Sequence, residues 1–505
     1  MKLKTLILII GTVSFNLLFW HEQAGINVLI FTLFITGTGI LFFPNNLKSF
    51  NSAVVLSGSI ISALTVVYHA SDLALIVWIA SIVLLQSFIH QEKLKSVFFG
   101  YASSVSSFVM SWQLAEQYIK LKNKRRINYK SVLKFLKLTL LPILTVYIFY
   151  WIFKFANPVF DELSDAFFIN LLNRLNNIFK NVSVLQILFT IWGFIVIAWF
   201  LYKNNKDYVV YNEQNYSETI IRKRKKQSQT NNFWFGKTGL KPLLKNEFSI
   251  GLIMIGLVNA LLLIINIIDI SSIWINFEYT HEIDLKQFVH EGTYLLILSI
   301  LLSIGIMIWF FRKNLNFYRN KKKLQILSYI WIVQNIILLI SVVLRNMHYI
   351  NYFGLAYKRI GVFFFLASVI FGLISLYLKI KESKSSYWLF KINTWALYIG
   401  FVLFAIPDWD IIISKHNLAH PLRNNIETSF LLTFDDKALP YIDQRKDILF
   451  QSEEFNTYKI FYDTYQNVYK GRVKTFLTNY HKNTWLSWNY ADSKAYYYYI
   501  NNSKH

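Results

Sequence analysis

This sequence predicts an all-α membrane protein: a polytopic transmembrane helical bundle of about eleven spans, followed by a small C-terminal helical domain outside the membrane. Three observations predict it. Of 505 residues, 54% are hydrophobic and only 16% are charged, where a water-soluble chain carries about a quarter charged residues to cover its surface. Apolar runs of roughly 20 residues, the length that crosses a hydrocarbon core of about 30 Å, recur along the chain. The basic residues that give a formal net charge of +24 sit between those runs, where positive charge keeps a loop in the cytoplasm. Topology therefore accounts for the charge, and it implies no nucleic-acid partner.

The first helix is expected at 3–20. Lys2 and Lys4 ahead of an apolar stretch resemble a signal peptide, but residues 17–20 run straight into His21 and Glu22 with no small-residue cleavage site, so the helix is retained. A second span at 26–43 stops at Pro44. Spans at 52–68 and 73–90 form a hairpin, with Ser71 or Asp72 placed to cap the second. The stretch 97–112 is apolar but diluted by serines such as Ser103, Ser104 and Ser107. As a full span it would put the basic loop around Lys124, Arg125 and Arg126 outside, so it is expected to be an interfacial or partly buried helix. A span follows at 138–152 and an amphipathic helix at 157–181, on the outer membrane surface. The span at 185–202 then leads inward to the basic loop 203–247, the clearest internal boundary.

Five further spans are expected at 249–268, 294–311, 324–344, 361–378 and 392–406, leaving the N-terminus cytoplasmic and the C-terminus outside. The chain then divides into 1–96 (four spans), 97–137 (interfacial helix and basic loop), 138–202 (two spans and the outer helix), 203–247 (basic loop), 248–407 (five spans) and 408–505 (outer helical domain). Within that tail, 419–432, 447–461 and 473–485 read as helices, with Leu439-Pro440 as a break. No internal repeat is strong enough to argue an inverted-repeat transporter.

Two polar clusters fall at the same end of their spans. One holds His290 and Glu291; the other holds Arg345, His348, Tyr349, Tyr352, Lys358 and Arg359. Guanidinium and ammonium groups beside tyrosines suit a phosphate or carboxylate, such as a lipid headgroup or a lipid-linked sugar phosphate. The competing reading is structural: Arg345 paired with Glu291 locks two neighbouring helices, and His290 and Glu291 cap a helix that begins near Thr293.

Other chemistry is poorly supported. His281, Glu282, His290 and Glu291 lack the two histidines four apart that a zincin needs, and the absence of cysteine removes thiolate ligands and nucleophiles. No metal, cofactor or catalytic residue is assigned. Asp408 and Asp410 are expected to terminate the last span, and the spans lack the buried acids that proton-coupled carriers use.

At His290-Glu291-Gly292-Thr293-Tyr294, at Arg345 and along Tyr352-Phe353-Gly354-Leu355-Ala356-Tyr357-Lys358-Arg359-Ile360-Gly361, the chain resembles a family of bacterial polytopic membrane proteins described as domain of unknown function 4173, close to the 4153 type. Ala438-Leu439-Pro440 and Trp485-Leu486-Ser487-Trp488-Asn489 add to the likeness, which is good from Phe248 onward and rests on layout alone before it. The resemblance implies a bacterial inner-membrane protein and no agreed activity. The expected function is a non-enzymatic envelope component that binds membrane lipid, or an envelope protein partner through its C-terminal domain. The alternative is a transporter or lipid-linked transferase handling an anionic substrate at the outer face.

Overall fold

The computed structural model describes residues 2–119, 142, 145–147, 149–151, 153–155, 157–178, 183–203, 208–220, 230–232, 236–238, 240–275, 285–311, 314–419, 428–445 and 459–502. In chain order the helices are α1 (Lys2–Phe19), α2 (Ile26–Phe42), α3 (Phe50–His69), α4 (Asp72–His90), α5 (Val97–Ile119), α6 (Pro158–Ile178), α7 (Val184–Leu201) and the short α8 (Tyr208–Gln214). A three-residue antiparallel pair, β1 (Thr230–Asn232) with β2 (Gly236–Thr238), precedes α9 (Leu240–Asp269). Then come α10 (Leu285–Phe310), α11 (Lys321–Phe353), α12 (Tyr357–Glu382), α13 (Ser386–Ala405), α14 (Trp409–Ala419), α15 (Thr428–Leu431), α16 (Leu439–Asp443), α17 (Lys459–Lys482) and α18 (Tyr490–Asn502).

Seven of these helices are long and apolar enough to cross a membrane: α3, α4, α7, α9 with its extension to Ile275, α11, α12 and α13. Three of the other four expected spans fall on shorter apolar helices at Leu3–Phe19, Ile26–Phe42 and Ile297–Phe310, and the fourth, 138–152, lies largely outside the described residues. The protein is thus a membrane-embedded helical bundle. Its chain divides into two compact units, 1–22 with 105–206 and 23–104 with 207–505.

In the first unit α1 and α7 run antiparallel: Asn16 Nδ2 donates to Thr190 Oγ1 at 2.7 Å, and Lys4 Nζ reaches the Leu201 carbonyl. Such a side-chain bond between helices substitutes for the hydrophobic drive that lipid removes. The amphipathic stretch forms α6 as expected, opened by Asn157, whose Oδ1 accepts from the backbone N–H of Val159 and of Phe160.

In the second unit α3 and α4 form the expected hairpin. Ala70 takes a left-handed conformation, and Ser71 Oγ accepts from Ala74 N–H to cap α4. Asn259 and Asn266 on α9 donate to the Leu327 and Gln334 carbonyls of α11 at 3.0 and 3.1 Å, so the intramembrane amides stitch helices together. Around them Trp331, Leu338, Val342, Leu366 and Leu373 form a hydrophobic core.

Several boundaries differ from expectation. α9 continues through Asp269 into a wider, π-type turn at Ile270–Ile275 instead of ending at 268. α10 begins at Leu285, not near Thr293, because residues 285–292 continue the same helix; His290 and Glu291 lie inside it, and their side chains fall outside the described residues. Part of the 203–247 loop is α8 and the β1–β2 pair. In the tail, Leu439-Pro440 lies after α15 and opens the short α16, where the missing proline N–H costs nothing in a first turn. α17 stops at Lys482, so Trp485 belongs to a 3₁₀ turn, and α18 was not anticipated. The expected helices at 419–432 and 447–461, and the basic residues Lys124, Arg125 and Arg126, lie wholly or partly outside the described residues.

Candidate functional site

The predicted outer cluster is largely engaged in holding the bundle together. Arg345 is buried on α11, and its Nη2 meets Asp269 Oδ1 at 2.6 Å. The sequence suggested Glu291 as partner; the described partner is Asp269, the last residue of α9 and one residue past the expected end of that span, which is itself only 4% exposed. Arg359 donates to the Phe353 and Gly354 carbonyls and lies 4.3 Å over the Tyr349 ring, which closes the end of α11. Gly354 makes that turn at φ 76°, a conformation that favours glycine. His348 and Tyr352 are half-buried and Lys358 is exposed.

The tail closes over this same end of the helices by gripping three turns. At the α11–α12 turn, Asn417 of α14 accepts from Leu355 N–H at 2.7 Å and donates to Leu355 O at 2.9 Å. At the turn before α2, Gln23 N–H donates to Ser487 Oγ at 2.8 Å and Ile26 N–H to Trp488 O at 3.0 Å. At the α3–α4 turn, Lys437 Nζ donates to His69 O at 2.9 Å. These grips use Leu355, Ala438's neighbour Lys437, and Ser487 with Trp488, so stretches far apart in sequence meet at one surface.

A Cβ on Gly25 would overlap the Trp488 carbonyl. Gly25→Val is therefore expected to weaken tail docking by about 1–3 kcal/mol, the usual cost of overpacking. Limited trypsin digestion checks it: cleavage in α17 and α18 should accelerate by about tenfold or more if docking is lost by that amount.

Lys437 is the centre of the arrangement. Its side chain is 1% exposed and sits 2.9 Å from Asp435, 3.5 Å from Asp410 and 3.9 Å from Asp408. Arg472 of α17 fixes the segment that presents it, donating to the Leu432 and Phe434 carbonyls at 2.5 and 2.7 Å and to Asp436. Asp408 and Asp410 do more than end the last span: Asp408 Oδ1 accepts from Ile411 N–H at the start of α14, and both carboxylates turn inward to the lysine. His69 supplies its carbonyl to Lys437, while its Nε2 lies 3.2 Å from both Ala405 O and Ile406 O, binding α3 to the end of α13. Because His69 Nδ1 accepts from Ser71 N–H, the ring proton is assigned to Nε2.

Burial works against the Lys437 charge, but Asp408, Asp435 and Asp410 together outweigh it and raise its pKa above the ordinary lysine value. Burial likewise pushes the Asp410 carboxyl up to about 6; Lys437 opposes that, and Asp435 adds to it by its charge and by a hydrogen bond between the two side chains. An unfolded aspartate titrates near ~3.9. Between those values the folded chain binds more protons than the unfolded one, so Asp410 makes stability fall as pH rises from about 4 to about 6 and adds no slope above that. Asp410→Asn is expected to remove this part of the slope, up to roughly 3 kcal/mol, in thermal unfolding compared at the two ends of that window.

Two clefts flank the lysine. One, of about 440 Å³, is acidic, lined by Asp72, Asp435, Asp436 and Asp492 with Lys437. The other, of about 630 Å³, is lined by Lys415, Lys437 and Lys494 among tyrosines. The predicted residues Arg345, His348, Tyr349, Tyr352, Lys358 and Arg359 line neither. Sequence reasoning missed Lys437 and Asp435, and it gave Asp408 and Asp410 only the role of ending the last span. The available signal was the Asp435-Asp436-Lys437 run directly before Ala438-Leu439-Pro440.

Fold and site together define a helical membrane protein whose extramembrane tail is fixed across one end of its spans. A family model described as Domain of unknown function (DUF4153) matches residues 10–445, and the chain belongs to that family. The match is to 4153 rather than the 4173 family the motifs suggested; it begins within α1, so the likeness is not limited to residues after Phe248, and it ends before Trp485–Ser487. No curated protein and no solved structure matches the chain.

Proposed function

We propose that this is a bacterial inner-membrane component that works by binding membrane lipid or an envelope protein partner at its tail-bearing end, rather than by catalysing a reaction. The observation that carries the reading is the tail, held to three separate turns through Asn417, Ser487 with Trp488, and the buried Lys437. A segment pinned at three points forms a fixed platform beside the ends of the spans, which is what a docking surface requires. Lys321, Lys322 and Lys323 open α11 and Lys379 and Lys381 close α12, at the ends away from the tail. Positive charge favours the cytoplasm, which supports a cytoplasmic N-terminus and a periplasmic tail.

A transporter or lipid-linked transferase acting on an anion at the α11–α12 turn would have to displace groups already in use, Arg345 from Asp269 and Arg359 from two carbonyls. That weighs against the alternative. Gentle extraction from the native membrane, followed by lipid and protein mass spectrometry, tests the reading. A lipid or protein enriched on the intact chain and depleted from Gly25→Val is the expected result. An intact chain carrying only bulk lipid and no protein would overturn it.

A further inference from the structure

We infer that the 630 Å³ cleft beside Lys437 holds the phosphate of an anionic, lipid-anchored molecule. This rests on the binding role proposed above and names its site and ligand class.

The cleft lies where the apolar spans stop. Its floor begins at Ile406 and Pro407, immediately after α13 ends at Ala405, and at Tyr68, next to last in α3. Tyr68 stacks on Tyr490 of α18, with ring centroids 5.4 Å apart and planes 9° from parallel, and amphipathic rings of this kind settle at headgroup depth. Ile406 and Ile412, both exposed, continue the apolar surface of α13 up the wall of the cleft, as a path for an acyl chain.

The polar lining is cationic at the rim. Lys415 and Lys494 are exposed there, and Lys415 Nζ lies 4.8 Å over the Tyr441 ring, which positions the ammonium without neutralising it. Among the described residues the carboxylate lining the cleft is that of Asp408, buried beside Lys437 and capping α14, so it does not cancel the rim charges. Two lysines, an aromatic ledge and an apolar wall match a phosphate joined to a hydrocarbon tail. A phospholipid and a lipid-linked sugar phosphate share that chemistry.

Native mass spectrometry of protein extracted from its own membrane tests the assignment, comparing the intact chain with Lys415→Ala/Lys494→Ala, Lys415→Arg/Lys494→Arg and Lys358→Ala. The lipid-phosphate adduct should fall about tenfold in the double alanine variant, a loss of about 1.4 kcal/mol, and should persist in the arginine and Lys358→Ala variants. The adduct mass tells a phospholipid from a lipid-linked sugar phosphate. Full retention by the double alanine variant, loss from Lys358→Ala instead, or an adduct of phosphate alone would overturn the site and leave the lipid-binding role standing. No adduct and no bound protein on the intact chain would overturn both. Equal unfolding temperatures for the intact chain and the arginine variant show that the fold is kept.

Discussion

Replacing Lys437 by alanine should cost about 3–5 kcal/mol of stability, the usual price of stranding a buried charge without its partner. Asp408 and Asp410 are each buried and would face one another with no cation between them. The hydrogen bond to His69 O would go as well, releasing the tail from the α3–α4 turn. Thermal unfolding in a fixed detergent measures the loss. Lys437→Met combined with Asp408→Asn and Asp410→Asn should recover part of it, because a buried charge cluster replaced together by neutral groups of similar volume is often close to neutral. If Lys437→Ala unfolded at the temperature of the intact chain, the cluster would have no structural weight.

Arg345→Ala should produce a loss of similar size, about 3–5 kcal/mol, by removing the guanidinium that meets the Asp269 carboxylate, only 4% exposed between α9 and α11. The two residues are held by different helices, so the damage should spread along the α9–α11 contact, where Asn259 and Asn266 also bond across. A double-mutant cycle with Asp269→Asn separates pairing from packing. The coupling should be at least about 1 kcal/mol, and the doubly substituted chain should be more stable than Arg345→Ala alone. A coupling near zero would mean that Asp269 is not the partner that matters to Arg345.

The bundle was legible in the sequence because lipid imposes a coarse rule: a span must be long, apolar and nearly free of charge. The hairpin capped at Ser71, the stop at Pro44 and the amphipathic α6 follow from residues a few positions apart. The partners of charged residues were not legible. Asp269 is 76 residues from Arg345, just past the 249–268 span that apolar length alone defines. Lys437 is 368 residues from His69, and the Asp435-Asp436-Lys437 run marks a charged cluster without showing that its lysine is buried. Gly25, Leu355, Ser487 and Trp488 could be noted as turn or motif residues, but their common purpose, the docking of the tail, appears only when the chain is folded.

The proposed role requires that the tail face the periplasm. Since the chain has no cysteine, single substitutions can be labelled without background by a maleimide that does not cross the inner membrane. Lys494→Cys lies on the cleft rim and Glu382→Cys at the opposite end of α12, both exposed. Lys494→Cys should label in cells whose inner membrane is intact, and Glu382→Cys only after that membrane is opened. The reverse pattern would put the tail in the cytoplasm and contradict the account.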